Sequence, residues 1–247
     1  MMPSITTSAV AGSRVRRTVL AVAKPIAFAV LLWLASAAGA VPIPGTPVPI
    51  TLQTFVVMVA ALTMDWRQAG AAVALYLAAG AAGLPVFAGG SSTAALFGPS
   101  AGFLIGFLPG VIVTAWLKGS SRRAIAAHHA AGSSTPTAFT ASTARSIAAY
   151  AAPGSDDAAD RTDLAASVAD AAASRPIVFA LTFLRYFAAA MVGCVAVVYV
   201  FGFAVQAALT GAPLPAIILA SVPFIIGDVV KSFVASLTVS VAVALRR

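Results

Sequence analysis

Charge is what this chain has least of. Only 9% of its 247 residues are Asp, Glu, Lys or Arg, while 60% are hydrophobic. Soluble domains carry roughly 25% charged residues, so a soluble surface of this size is excluded. Cysteine is nearly absent. Cys194 stands alone, which excludes an internal disulfide framework and any multi-thiolate metal site. Nucleotide-handling and catalytic patterns are missing too. There is no GxxxxGK[ST] run, no HExxH and no Ser/His/Asp arrangement, and no helix carries paired carboxylates. An enzymatic reading therefore has no residue support, and no metal or cofactor site is expected. Fifteen prolines and 19 glycines also exclude a coiled-coil rod.

What the chain does have is long apolar runs. A bilayer core of about 30 Å needs roughly 20 apolar residues per helix. Six candidates fit: 19–40, 50–64, 69–84, 101–117, 186–209 and 224–245. The second and third are short and borrow length from Pro-rich flanks or line the interior. Arg16-Arg17, an apolar run and Ala38-Gly39-Ala40 imitate a cleaved signal peptide. The run is long for that role and five more spans follow, so it is read as the first crossing.

The few charges sort by position. Fourteen of the fifteen basic residues fall in the N-terminal flank, the 2–3 connection, the 4–5 connection or the C-terminus. Connections 41–49, 85–100 and 210–222 hold no charge at all. By the positive-inside rule both termini and the even loops are cytoplasmic. The net charge of +8 is thus a topology signal and needs no nucleic-acid partner. The expected organisation is a cytoplasmic tail over 1–18, helices 1–4 over 19–118, an insert over 119–175 and helices 5–6 over 176–247. The insert is rich in Ala, Ser and Thr, with Asp156, Asp157, Asp160, Asp163 and Asp170, and reads as a disordered cytoplasmic linker. Adjacent His128-His129 within it do not form a ligand face.

With the flanks set aside, Lys24 counted in the N-terminal one, two ionisable residues remain inside a span: Asp228 and Lys231. Each costs at least ~2.5 kcal/mol on insertion scales, so such residues pair or serve a function. Their i, i+3 spacing puts them on one helix face. A helix starting at Phe224 places Asp228 roughly 6 Å and Lys231 roughly 10 Å below its outer end. One reading is a pocket open to the outside, with Lys231 taking a ligand carboxylate and Asp228 accepting ligand N–H groups. The other is a self-neutralised pair that locks two helices together.

The uncharged connections favour a pocket. Thr51 and Gln53 end a stiff Pro-rich crossing and place polar groups near the outer surface. The segment around Gly83, Gly89, Gly90 and Gly98 is neutral and flanked by Phe87, Phe97 and Phe103, and Ser100 follows it; it reads as a lid over a small ligand. Tyr76 is a candidate pocket residue. Tyr199 reads rather as an interface-belt or core residue.

Four stretches occur together: VPIPGTPVPITLQTF (41–55), YLAAGAAGLPVFAGG (76–90), GPSAGFLIGF (98–107) and VPFIIGDVVKS (222–232). In order and spacing they resemble the BioY family, the biotin-binding S components of energy-coupling-factor (ECF) transporters. Ser100, Ala101 and Phe103 depart from the family's GPTGGYLIGF, and the insert departs from its compact form. The resemblance implies an all-α integral membrane protein in the plasma membrane, with six transmembrane helices in an S-component-like bundle. It implies biotin as ligand, a transmembrane T component and cytoplasmic ATPase subunits as partners, and lipid around the bundle. The expected binding residues are Asp228, Lys231, Gln53, Thr51, Tyr76, Phe87, Ser100 and Phe103, and which polar one meets which end of biotin does not follow from the sequence. Small-xxx-small spacing on the first helix, at Ala23, Ala27, Ala35 and Gly39, is the expected docking face for the T component.

Overall fold

A computed structural model describes residues 6–41, 48–119 and 176–245, with side chains from residue 22 onward. Expectations for the 119–175 insert, its histidines and its aspartates lie outside the described residues. Met1–Lys118 and Arg185–Arg246 make one compact unit, and Gly119–Leu184 falls in a second. Everything below concerns the first, apart from the opening residues 176–184 of one helix.

The described residues are helical apart from connections and one antiparallel bridge. They form α1 (Thr6–Ala37), α2 (Gln53–Thr63), α3 (Trp66–Ala81) and α4 (Ala101–Leu117). After the insert come α5 (Pro176–Thr210), α6 (Leu214–Ala220) and α7 (Val222–Ala244). Each expected apolar run is helical, and the ends are set by local chemistry. Asp65 caps α3, its carboxylate accepting from the Arg67 and Gln68 amides at 3.0 and 2.9 Å. Gly211 ends α5 in the left-handed conformation, φ 68°. Two of the helices, α5 and α7, are long and apolar enough by themselves to cross a bilayer.

Several boundaries differ from expectation. The helix begins at Thr6, inside the supposed 1–18 tail, because no proline interrupts that stretch. The 210–222 connection is not a plain loop. Leu214–Ala220 is helical, with Pro215 at its first turn where the missing N–H costs nothing. The 85–100 connection folds into two 3₁₀ turns, Ala88–Gly90 and Thr93–Leu96. α7 starts at Val222, two residues earlier than expected, so Asp228 lies about 9 Å inside the helix.

The core is built around Leu32, Val57, Met58, Val73, Tyr76, Phe107, Val111 and Val198. α1 packs on α3, α3 on α4, α4 on α5 and α2 on α7. The α4–α5 crossing is the tightest. Gly102, Gly106 and Gly110 stand at i, i+4 and i+8, and a Cβ on Gly110 would lie 2.7 Å from the Gly193 carbonyl oxygen. Small residues at this spacing let helix backbones touch where lipid offers no hydrophobic drive for association. The contact meets a π-helical stretch of α5, Met191–Val197.

Candidate functional site

At one end of the bundle the backbone leaves a cavity of about 440 Å³. That is within the range that holds a small organic ligand. Its rim comes from 48–54, from the 3₁₀ segment with Phe87, Ala88 and Ser91, and from Gly98–Ser100. Val41 and Ile50 exchange two backbone hydrogen bonds of 2.9 Å, which closes the base of the first of these connections.

Asp228 and Lys231 sit in the cavity wall, 3.0 Å apart, with side chains 7% and 16% exposed. Neither partner is satisfied by the pair alone. Lys231 Nζ also donates to the Thr51 carbonyl at 2.8 Å and to Thr54 Oγ1 at 3.0 Å. All three ammonium protons are therefore taken. Thr54 donates in turn to Asp228 Oδ1 at 2.8 Å, and the Tyr199 hydroxyl donates to Asp228 Oδ2 at 2.9 Å. A carboxylate offers about four acceptor positions. Three are filled, two on Oδ1 and one on Oδ2, so the open position is on Oδ2.

A second polar chain stands beside it. Thr51 Oγ1 donates to Gln53 Oε1 at 3.0 Å, Gln53 Nε2 donates to the Tyr76 hydroxyl, and that hydroxyl donates to the Val86 carbonyl at 3.0 Å. Phe87 follows Val86 and packs edge-on against Tyr76, ring centres 5.3 Å apart. Gly80 makes room for it: a Cβ there would overlap the Phe87 ring. On the other wall Phe103 meets Tyr199 and Phe203 edge-on, at 5.7 and 6.1 Å. The cavity is thus apolar and aromatic on its sides, with one charged but neutralised patch.

Seven of the eight expected site residues line this cavity: Asp228, Lys231, Gln53, Thr51, Phe87, Ser100 and Phe103. Tyr76 does not. It is buried behind the wall, holding Gln53 and Val86. Phe97, expected near the ligand, is 77% exposed and is not part of the lining. Tyr199 is neither belt nor mere core, since its hydroxyl grips Asp228 from α5. Sequence reasoning missed Thr54, Gln206, Ser221 and Phe224, all in the lining. Thr54 had a signal, standing three residues after Thr51 and beside Gln53. Of the expected docking residues, Ala23 and Ala27 are exposed and Gly39 lies past the end of α1. Ala35 is only 7% exposed and faces the bundle, because it falls on the stripe of Leu32 and Ser36.

At the far end of α4, Lys118 Nζ donates to the Met64 carbonyl and ties α4 to the end of α2. Burial pushes its ammonium down to about 8, opposed by the nearby Asp65 carboxylate.

Comparison with known proteins gives one answer. The family model described as BioY family matches residues 7–156 and 163–247. "Biotin transporter BioY" of Rhizobium etli is 30% identical over 192 residues, covering 77% of this chain and 75% of that protein. "Biotin transporter BioY" of Rhodobacter capsulatus is 46% identical over 98 residues, 39% of this chain and 50% of that one. The crystal structure of "the S-component for biotin from an ECF-type ABC transporter" superposes with a TM-score of 0.62 at 18% identity. It covers 96% of this chain and 93% of that one. At that identity the likeness shows a shared fold. With a family match over nearly the whole length and a relative matched over three quarters of it, the chain belongs to the BioY family.

Proposed function

We propose that this chain is the membrane-embedded biotin-binding subunit of an ECF transporter. It takes biotin from the outer side of the plasma membrane and delivers it to the cytoplasm. A transmembrane T component and ATP-hydrolysing subunits work with it. The proposed topology has six crossings, both termini and the 119–175 insert on the cytoplasmic side, and the cavity opening outward. Connections 85–100 and 210–222 contribute to the cavity lining, and the described basic residues Arg67 and Lys118 lie at the other ends of α3 and α4. Ala23 and Ala27 on α1 are the proposed contact with the T component.

The observation that carries the ligand assignment is the open acceptor position on Asp228. Biotin carries a ureido group with two N–H donors, an apolar thioether ring and a valerate tail. A ureido N–H fits an acceptor that three donors already hold in place. Phe87, Phe103 and Tyr199 supply flat walls for the fused rings, and Gln53 and Ser100 supply further polar contacts. Lys231 then serves mainly as the counter-charge of Asp228 in an apolar setting.

Equilibrium binding of biotin to the purified chain in detergent tests this. Saturable binding at submicromolar concentration is expected, and its absence below micromolar biotin sinks the assignment.

A further inference from the structure

Lys231 is the obvious cation for a ligand carboxylate, but its three protons are committed at 2.8–3.0 Å. A carboxylate placed there would displace one of these partners and crowd Asp228. The acidic end of the ligand needs another partner, and the cavity contains a second polar level. Tyr199 and Asp228 join α5 to α7. Seven residues along each helix, toward the connection between them, stand Gln206 and Ser221. Seven residues are close to two full turns, so each falls on the same face as its counterpart and about 10 Å away.

Both residues line the cavity, and both are 5% exposed. Neither side chain makes a hydrogen bond among the described residues. Gln206 is engaged only through its backbone carbonyl, which accepts from Thr210, and the Ser221 hydroxyl makes no capping bond to α7. Neither group is sealed away: the buried polar side-chain atoms without a partner among the described residues are the hydroxyls of Ser36, Ser236 and Ser240, so the Gln206 amide and the Ser221 hydroxyl are open to the cavity and free to meet a ligand. They stand where an extended ligand anchored at Asp228 would end. A valerate tail of five carbon–carbon bonds spans about 6 Å at the advance per bond of an extended chain, and the fused rings fill the remainder.

We propose that Gln206 and Ser221 form an outer subsite that receives the carboxylate of the ligand whose ureido group Asp228 holds. The proposal rests on the biotin assignment above. The Gln206 amide donates through Nε2 and the Ser221 hydroxyl donates its proton, giving the carboxylate two neutral donors.

The test compares biotin with an analogue whose carboxyl is replaced by methyl, on wild type, Gln206→Leu, Gln206→Glu and Ser221→Ala. Wild type should prefer biotin. Gln206→Leu and Ser221→Ala should each cut that preference about tenfold, by weakening biotin and not the methyl analogue. Gln206→Glu should reverse the preference, because it sets a carboxylate against the ligand's own, and it covers the case in which the leucine variant fails to fold. If the variants keep the wild-type preference, or wild type binds both ligands equally, the subsite is wrong while the biotin assignment stands. If wild type binds neither ligand, the biotin assignment fails and takes the subsite with it.

Discussion

Removing the charge on Asp228 separates a ligand site from a structural ion pair. In Asp228→Asn the shape is kept, but Lys231 loses its counter-charge. It still has the Thr51 carbonyl and Thr54 as partners. Breaking one side of a buried pair costs about 3–5 kcal/mol, and the 16% exposure of Lys231 points to the lower end of that range. Lys231→Met should destabilise comparably by stranding Asp228. The double variant removes both charges, so its thermal unfolding should return toward wild type. Binding should behave differently. One ligand hydrogen bond to a charged acceptor is worth about 1.5–3 kcal/mol, so Asp228→Asn should weaken biotin about 10- to 150-fold at 1.4 kcal/mol per decade. The double variant should not regain it. Thermal unfolding in detergent and titration calorimetry read the two quantities separately. If the double variant recovers both stability and affinity, or Asp228→Asn binds within about twofold of wild type, the pair is structural and the reasoning is refuted.

Gly80→Ala should push the Phe87 ring into the cavity, weakening biotin binding as well as lowering the unfolding temperature, since overpacking typically costs about 1–3 kcal/mol. A stability loss without any change in affinity would show that Phe87 does not touch the ligand. Lys118→Met acts at the other end of α4, eleven residues or about 16 Å from Phe107, and should leave biotin affinity unchanged. The folded ammonium is held near 8 against an ordinary 10.5. Between those values the unfolded chain binds the extra proton, so wild-type stability should rise with pH across that window and be flat below it. The methionine variant should lack the rise, and an identical pH profile in both proteins would overturn the assigned burial.

The helical architecture and most of the cavity lining are legible because hydropathy and charge act over whole segments. Asp228 and Lys231 stand out as the only charges left inside a span. Thr51, Gln53 and Ser100 stand out as polar residues beside uncharged connections. What stays hidden depends on facing across helices. Tyr199 is one aromatic among many until α5 is packed against α7 and its hydroxyl meets Asp228. Ala35 looks like Ala23 and Ala27 until the phase of α1 turns it inward. Gly102, Gly106 and Gly110 do carry a readable spacing, and the partner that makes it meaningful, Gly193, lies more than 80 residues away across the insert. The Ser221 hydroxyl resembles a helix cap by sequence, yet it makes no capping bond and is left to the cavity.

The mutual neutralisation of Asp228 and Lys231 also bears on how the outer level would choose a ligand. At about 10 Å and an effective dielectric of about 20, a single charge acts on a carboxylate with roughly 1.7 kcal/mol. Here two opposite charges 3.0 Å apart act together, and their effects largely cancel. The field reaching Gln206 and Ser221 from the inner level is therefore weak, and the uncharged connections add none. An acidic tail at that level is selected by hydrogen-bond donors and not by net charge. The inner level works the other way: three donors, one of them the Lys231 counter-ion, fix an acceptor that an N–H group can complete and a second carboxylate cannot. Reversing a ligand end for end would place its carboxylate against Asp228, two acceptors together. Orientation thus follows from the arrangement of donors and acceptors along α5 and α7, with no cation free to override it among the described cavity residues.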